Sequence, residues 1–398
     1  MTSQKRLFAK SRMAAVVLEL LTFASGALLH AQTERSLYHW SYPQIEDVRG
    51  GLVADSSGNL YGTSVFGGTE NAGTVFELSP PAAPGGAWTE SVLYNFPGDN
   101  SAGPGGTLVF DSNGNLYGTA VTGGEYGGGA VFQLAPPAAP GGAWTEKTIA
   151  SLDQGYPYAG LAIAANNVLY GATGYGGVFQ VTPDGDSWTF ATIYLLQSNS
   201  TVVRNLILDA KGNLYGTSQT AGEYDSGYVF GLRPPTKSGG KWSEVDIYDF
   251  RGGADGGAPI TSLTLKAGVL YGTTSAGGAT SNGTVFSLTP PTAPNGPWTE
   301  AVLYSFAGGS EGASPEAGVV FGSGGALYGT TWGNTVSAGT SYKLTPPSEP
   351  GGEWTQKVIH NFDGLEEDGG QPVDSLLLFH GAFFGTTSSP SAVFEISQ

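Results

Sequence analysis

The chain has 398 residues, no cysteine, and 33 acidic against 16 basic residues, which gives a formal net charge of −17. Without cysteine there is no disulfide or thiol chemistry, and a surface of this sign repels nucleic acid and anionic lipid. Glycine and proline are abundant, at 64 and 24 residues, but aromatic residues make up 12% of the chain and indicate a packed core.

The N-terminal segment has the pattern of a secretory signal peptide. Basic residues between Lys5 and Arg12 precede an apolar run over 13–29, and Ala31 offers a small residue at the cleavage position. Glu19 inside the apolar run disfavours a membrane span. We predict a signal peptide over 1–31, with an uncleaved N-terminal anchor as the alternative. After its removal we expect no membrane insertion, because no other stretch reaches about 20 apolar residues.

A repeated Leu-Tyr-Gly-Thr motif organises the remaining sequence. It returns, with small variations, at intervals of 45 to 57 residues. Its aromatic residue stands at Tyr61, Tyr117, Tyr170, Tyr215, Tyr271, Tyr328 and Phe384. A period of this length is typical of repeat architectures, whereas β-solenoid coils run only about 20 to 30 residues and an ordinary sandwich needs no near-copies. We expect the glycine to give room where neighbouring backbones approach.

Each repeat unit reads as four short strands. In the second copy the predicted strands are 106–110, 116–119, 131–134 and 144–152. A turn at 111–114 contains aspartate and glycine, and a proline-rich connector at 136–142 cannot join a sheet. Four antiparallel strands in about 50 residues correspond to one propeller blade.

The two ends of the sequence complement each other. The last copy provides three strands before the chain stops, and residues 35–42 carry the pattern of a fourth strand. Closing the ring with this N-terminal strand would hide two sheet edges. The sequence therefore predicts an all-β fold over 32–398, a seven-bladed β-propeller with four antiparallel strands per blade.

A tryptophan opens the fourth strand of six units, and its regular placement indicates a packing role between sheets. These residues are Trp88, Trp144, Trp188, Trp242, Trp298 and Trp354. Sugar-stacking platforms are the alternative interpretation. Trp332 differs from all of them, because it lies in a variable loop and has no counterpart in the other copies.

The combined signature over Gly51–Thr63, Gly67-Gly68 and Gly73–Pro80 resembles the GloVer (Gloeo/Verruco) tandem repeat. The resemblance covers essentially the whole chain after residue 31. It implies an exported bacterial protein of repeat architecture, without an established activity. Members of the family often carry a C-terminal anchoring signal, which this sequence does not show. We therefore expect a secreted or periplasmic protein.

Function is expected in the loops that differ between copies, because variable loops on a rigid scaffold usually carry binding residues. Arg49 and Arg204 fall just before the first strand of their units, where side chains can reach the channel mouth. Asp225 and Glu316 belong to the acidic residues of these loops, which attract cations and hydroxyl-rich ligands.

Aromatic residues in the same loops suggest stacking against sugars. Trp332, Tyr126 and Tyr224 are the candidates. Among metals, calcium is a candidate ligand, because its sites need several clustered oxygen ligands. The densest run offers Asp363, Glu366, Glu367 and Asp368, and we expect no other cofactor. Three histidines follow residue 31, and so small a number does not favour a zinc site or histidine-based catalysis.

Three functional hypotheses remain open. The first is an exported binding or interaction module, monomeric, that recognises a polysaccharide or another extracellular protein. The second is a carbohydrate-active hydrolase or lyase that uses carboxylates at the propeller mouth. The third is a purely structural extracellular protein. No nucleophile elbow, P-loop or dinucleotide fingerprint is present, so we assign no catalytic residue.

Overall fold

The computed structural model describes residues 32–40, 45–83, 85–98, 101–139, 141–202, 204–237, 239–293, 296–333 and 337–397. The predicted signal peptide lies outside these residues. The regular structure of the described chain consists of β-strands and two short 3₁₀ turns, Gly309–Glu311 and Ser323–Gly325. No helix in this part of the chain has the length and apolar character that a membrane span requires.

Seven four-stranded antiparallel sheets form the blades, each numbered here in chain order and given from its first strand to its fourth. Blades one to three are Val53–Ala54, Leu60–Ser64, Thr74–Ser79, Thr89–Asn95; Val109–Phe110, Leu116–Ala120, Ala130–Ala135, Thr145–Ser151; and Ala162–Ile163, Leu169–Ala172, Gly177–Asp184, Ser187–Leu195. Blades four to six are Ile207–Leu208, Leu214–Ser218, Tyr228–Arg233, Ser243–Asp249; Thr264–Lys266, Val269–Thr274, Thr284–Thr289, Thr299–Ser305; and Val320–Phe321, Leu327–Thr331, Thr340–Thr345, Thr355–Asn361.

Blade seven joins the two ends of the chain and confirms the predicted closure. Its strands are Leu377–Phe379, Ala382–Ser388, Ser391–Ser397 and, as the fourth, Glu34–His39. The closing strand begins one residue before the predicted segment and ends at His39, in register with Glu34 opposite Ile396. All seven blades of the propeller follow the predicted strand order.

Two small ribbons extend the predicted pattern. Ile45–Glu46 pairs with Phe66–Gly67, and Ser101–Ala102 pairs with Thr122–Gly123. Both ribbons join the segment before a blade to the loop that follows the second strand of that blade. They therefore hold together the loops of one face.

Hydrogen bonding and packing explain the tyrosine and the glycine of the repeated motif. The Tyr61 hydroxyl donates to Asp55 Oδ2 at 3.1 Å, and the same carboxylate caps its own turn by accepting the Asn59 amide nitrogen at 3.0 Å. Gly62 makes room for an aromatic ring, because a Cβ there would lie 2.5 Å from Cζ of Phe76 on the third strand. The expectation that this glycine relieves a backbone contact is therefore wrong.

The threonine of the motif connects neighbouring blades. Thr63 Oγ1 donates to the carbonyl of Gly106, which precedes blade two, at 3.2 Å. Thr386 in blade seven makes the corresponding bond to the Gly50 carbonyl, before blade one, at 3.3 Å, so the same contact links the last blade to the first. One hydroxyl therefore helps to fix the angle between successive sheets.

The regular tryptophans pack across the seams between blades, as predicted. The Trp144 ring in blade two lies 6.3 Å from that of Tyr61 in blade one. Trp188 and Tyr117 make the same contact one blade later, at 5.6 Å. Each of these tryptophans covers the second-strand aromatic residue of the blade before it, so they belong to the core between sheets.

Hydrogen bonds near the axis of the ring tie the first strands together. The Gly51 amide donates to Asp374 Oδ2 at 2.7 Å, and Thr107 Oγ1 donates to the same oxygen at 2.7 Å. Asp374 is buried. Blades seven, one and two therefore share one buried carboxylate, which positions the loops immediately before their first strands.

Candidate functional site

A cavity of about 460 Å³ lies among the loops of blades one to four, and we call it the mouth cavity. It is lined by Arg49, Val65, Phe66, Asn71, Ala72, Ala102, Gly103, Gly105, Val121, Thr122, Tyr158 and Arg204. Both predicted arginines therefore contribute to one site, although they are separated by three blades in sequence. Apolar side chains form much of the wall between them.

The charged groups of the mouth cavity are arranged in pairs. Arg204 Nη2 lies 3.6 Å from Glu316 Oε2, and Arg204 Nε donates to the Glu316 carbonyl at 3.2 Å. Arg49 Nε donates to Asp47 Oδ1 at 2.7 Å from a side chain that is about half exposed. Burial raises the pKa of Glu316, and the charges of Arg204 and Arg49 oppose that shift. The structure thus brings Arg49, Arg204 and Glu316 together.

Two exposed aromatic rings in the cavity were missed at the sequence level. Phe66 and Tyr158 are 45% and 47% exposed, large fractions for aromatic side chains. A signal for Tyr158 exists in the repeat. Like Arg49 and Glu316, it stands three residues before the buried aliphatic residue that precedes the first strand. Aligning the copies at that position would have found it.

Further tyrosines continue from Tyr158 over the surface of blade three. A Cβ on Gly174 would lie 3.1 Å from the Tyr158 ring, so that ring packs closely on the 174 backbone. The adjacent Tyr175 is 71% exposed and meets Tyr156 edge-on at 6.0 Å. Tyr156 has a φ of 45°, a left-handed conformation that is costly for a bulky residue. A band of exposed rings therefore leads away from the mouth cavity.

Trp332 lines a second cavity of about 500 Å³, which shares Arg49 and Phe66 with the mouth cavity. Glu366 also lines this second cavity. The unique tryptophan is thus next to the predicted arginine site. The two cavities meet at the same two side chains.

The other predicted binding residues lie elsewhere. Tyr126, Tyr224 and Asp225 line neither the mouth cavity nor the second cavity. The charge of Glu125 raises the pKa of the fully exposed Tyr126. The Arg251 guanidinium lies 5.4 Å from the Tyr224 ring centroid, an intramolecular cation–π contact. The backbone of Asp225 takes a φ of 52° in a turn.

The predicted calcium ligands line a third cavity, of about 710 Å³, at the outer edge of blades six and seven. Its carboxylates are those of Glu34, Asp363, Glu366, Glu367 and Asp368. Asp363 Oδ1 accepts the Leu365 amide at 2.8 Å, so that side chain already caps its own turn. Asp368 Oδ1 lies 2.7 Å from Nε2 of His360, which belongs to the fourth strand of blade six.

Comparisons with known proteins agree with the fold. The structure resembles the extracellular domain of a protein assigned to the hybrid two-component systems of B. thetaiotaomicron, with a TM-score of 0.57 and 11% identity over 92% of this chain and 40% of that chain. A second such domain from the same organism gives a TM-score of 0.50 and 12% identity, over 92% of this chain and 41% of that one. The chain thus spans about 40% of these structures. No curated protein matches it.

The sequence itself matches the Gloeobacter/Verrucomicrobia repeat over residues 25–178 and 174–393. These two matches together cover nearly the whole chain and include every blade. They confirm the resemblance that the repeated signature indicated. The chain belongs to the Gloeobacter/Verrucomicrobia repeat family.

Proposed function

We propose that the protein is an exported binding module that holds a polysaccharide in the mouth cavity. The observation that carries this proposal is the meeting of exposed aromatic rings with planar charged groups around one cavity. A sugar ring offers an apolar face for stacking and a rim of hydroxyl groups for hydrogen bonds. At about 460 Å³ the cavity lies within the usual range for small-ligand sites, roughly 300 to 1,000 Å³.

Each group has a distinct part in this binding mode. Phe66 and Tyr158 provide the stacking surfaces. Arg204 lines the cavity, and its contact with the mostly buried Glu316 holds the guanidinium donors in a fixed position. Arg49 is more exposed and can turn toward a ligand. The band of tyrosines from Tyr158 outward provides contacts for further sugar units.

The balance of charge favours a neutral polysaccharide. Within the site, each guanidinium has a carboxylate partner, Asp47 for Arg49 and Glu316 for Arg204. The chain as a whole carries a net charge of −17, which repels polyanions at long range. Uronic-acid polymers should therefore bind more weakly than neutral ones.

An exported location is part of the proposal. Two observations support it, namely the basic and apolar pattern of residues 1–31 and the similarity of the fold to extracellular domains. The detection of the processed chain outside the cytoplasm of the producing bacterium would test it. A chain recovered unprocessed from the cytoplasm would contradict it.

The test of binding uses purified protein against immobilised neutral and uronic-acid polysaccharides. Tyr158→Ala should weaken binding of the best neutral polymer about ten-fold, equivalent to about 1.4 kcal/mol, without lowering the melting temperature. Tyr224→Ala is the matched control, because it removes an exposed tyrosine outside both cavities. Binding that survives Tyr158→Ala, or falls equally in both variants, contradicts the mouth cavity as the site.

The second cavity provides a graded version of this test. If a bound chain continues past Arg49 and Phe66, Trp332→Ala should also weaken binding of long polymers. Binding of short oligosaccharides that occupy the mouth cavity alone should stay unchanged in that variant. An equal loss for both lengths would place Trp332 in the primary site instead.

One observation favours a carbohydrate-active enzyme as a second candidate. Burial raises the pKa of Glu316, and a raised carboxyl pKa is a property of general acids in glycoside cleavage. Release of soluble sugar from the bound polymer would support the enzyme, and its loss in Glu316→Gln would identify the acid. Binding without release supports the binding module.

A further inference from the structure

A polar contact repeats at the outer edge of the ring, where the fourth strands of neighbouring blades face each other. In blade five the Tyr304 hydroxyl lies 3.1 Å from Glu311 Oε2 of the following loop and 3.0 Å from Gln356 Oε1 of blade six. In blade four the Tyr248 hydroxyl lies 3.1 Å from Asp255 Oδ2. A tyrosine thus sits between an acid of its own loop and a side chain of the next blade.

At the closing seam, between blades six and seven, a histidine takes the place of this tyrosine. His360 pairs with Ser341 in the register in which Tyr304 pairs with Val285. Its Nε2 lies 2.7 Å from Asp368 Oδ1, and its Nδ1 lies 3.5 Å from Glu34 Oε2. The same three positions are kept, but the phenol is replaced by an imidazole with a nitrogen on either side.

Glu34 is a buried carboxyl group whose hydrogen-bonding capacity is not satisfied. Its side chain is only 6% exposed, Oε2 lies 3.5 Å from His360 Nδ1, and Oε1 has no hydrogen-bond partner within the described chain. A buried carboxylate oxygen without a partner is costly. Burial raises the pKa of Glu34 to about 7, while His360 lowers it and Asp368 raises it. The site therefore has a buried oxygen, an imidazole nitrogen and a second carboxylate within 4.8 Å of one another.

We propose that Glu34 and His360, with Asp368 orienting the imidazole, form a binding site for a divalent transition-metal ion of the zinc class, which fastens the closing strand to blade six. Zinc accepts imidazole nitrogen and carboxylate oxygen at about 2.0 to 2.2 Å. Two such ligands around a tetrahedral ion are separated by about 3.3 Å, close to the 3.5 Å between His360 Nδ1 and Glu34 Oε2. Calcium prefers six to eight oxygen ligands and fits an imidazole poorly.

Asp368 has a different part from Glu34. Its 2.7 Å contact with Nε2 is a hydrogen-bond distance, which holds the proton on Nε2 and leaves the Nδ1 lone pair directed toward Glu34. The Asp363 amide donates to Asp368 Oδ2 at 2.7 Å and fixes this carboxylate in turn. The third cavity gives an ion access from solvent, and Glu366, Glu367 or water can complete its coordination.

The site stands apart from the proposed polysaccharide site, because none of its three residues lines the mouth cavity. Its test is therefore independent of the proposed function. Calorimetric titration of the purified chain with Zn²⁺ should show one equivalent bound, and thermal denaturation should shift upward with Zn²⁺ and return with a chelator. Ca²⁺ should produce neither effect.

Three variants test the site. Two of them introduce the residue found at the equivalent position of another blade, and the third removes one contact. His360→Tyr restores the residue of blades four and five, so it should fold normally but lose the Zn²⁺-dependent shift. Glu34→Gln introduces the residue that blade six has at the equivalent position, Gln356, and should also lose the Zn²⁺-dependent shift. Asp368→Asn removes the orienting carboxylate and should weaken zinc affinity about 10- to 100-fold.

The matched control is Glu395→Gln. Glu395 lies opposite Arg35 on the same sheet and pairs with it at 2.7 Å, outside the cluster. This variant should bind zinc like the unaltered chain. Absence of zinc binding in the unaltered chain, binding that persists in His360→Tyr, or a loss of binding in Glu395→Gln would each overturn the proposal.

Discussion

The seam between blades five and six and the seam that closes the ring use equivalent positions with different chemistry. At the first, Trp354 packs in one apolar cluster with Tyr271 of the preceding blade. At the closing seam, Gln32 occupies the position equivalent to Trp354, because it precedes Glu34 by two residues as Trp354 precedes Gln356. The side-chain amide of Gln32 donates to the Tyr328 hydroxyl. At this one position the ordinary seam has an aromatic contact and the closing seam has a hydrogen bond. Elsewhere both seams are mixed, since Tyr304 bonds Gln356 at the first and Tyr328 stacks on Phe383 at 4.2 Å at the closing seam.

This difference separates two tasks. Aromatic burial is non-directional and scales with area, so the aromatic contacts of the ordinary seams and of the closing seam supply stability. Hydrogen bonds require particular atoms at particular positions, and a strand that slips by one residue moves every side chain to the other face. The polar contacts of the closing seam, made by Gln32, Glu34 and His360, therefore help to select the register of a strand that has no covalent neighbour in blade seven.

Removal of the closing strand should have the largest effect. Deletion of residues 32–40 leaves the edge of Ser391–Ser397 unpaired and removes Trp40, a buried residue whose ring lies 4.8 Å from that of Phe76. An open hydrophobic edge promotes association. We expect loss of the cooperative unfolding transition and aggregation in size-exclusion chromatography. A monomeric truncated chain with an unchanged denaturation midpoint would contradict the closure.

Truncation of a tryptophan side chain at an ordinary seam should have the next largest effect. Trp144→Ala removes the ring that covers Tyr61 and should lower the free energy of unfolding by about 3 kcal/mol, because it leaves a cavity between two sheets. Chemical denaturation measures this change. Trp332→Ala serves as the control, since that ring lies in a loop at the second cavity, and equal losses in the two variants would argue against the seam assignment.

Glu300 of blade five, at the position that Glu34 occupies in blade seven, should make stability depend on pH. Burial raises the pKa of Glu300 to about 7, with Asp255 adding to the shift. Because the folded pKa lies above the unfolded value, this contribution is fully present below about pH 4.5 and is lost as pH rises through about 7. Glu300→Gln should remove that loss, on the order of 1 kcal/mol after solvent screening.

The seam between blades five and six provides the reciprocal variant. Gln356 occupies the corresponding position there, opposite Leu344 as Glu300 is opposite Leu288. Gln356→Glu should therefore add a decline of stability between pH 4.5 and 7 that the unaltered seam lacks. Denaturation midpoints measured across this range compare the two variants, and parallel pH profiles for both would refute the seam as the cause.

The smallest expected effect is at the polar closing contact. Gln32→Ala removes the donor to Tyr328 and should lower the free energy of unfolding by about 1 kcal/mol, the usual net value of one hydrogen bond. In a double-mutant cycle with Tyr328→Phe, the two losses should not add, because both remove the same bond. Additive losses would show that the two side chains act independently.

The architecture was predictable from local signals. Gly62 recurs in every unit because each needs space for a ring, and Thr63, which bonds the next blade, recurs in all but the third unit. The capping residue Asp55 recurs in the second and fourth units. The same regularity concealed part of the site. Tyr158 lies in a degenerate copy, and only its position relative to Arg49 and Glu316 connects it with the mouth cavity.

The sequence by itself determined the strands of the blades, the number of blades and the strand that closes the ring, because period, turn residues and β-propensity act over a few neighbouring residues. Only the tertiary structure decided which loops share a cavity and which side chains meet across a seam. Glu34 and His360 are 326 positions apart in the chain, and their atoms come within 3.5 Å only because seven sheets complete one ring. Contacts of that kind depend on the sum of all the angles between blades, which no single repeat specifies.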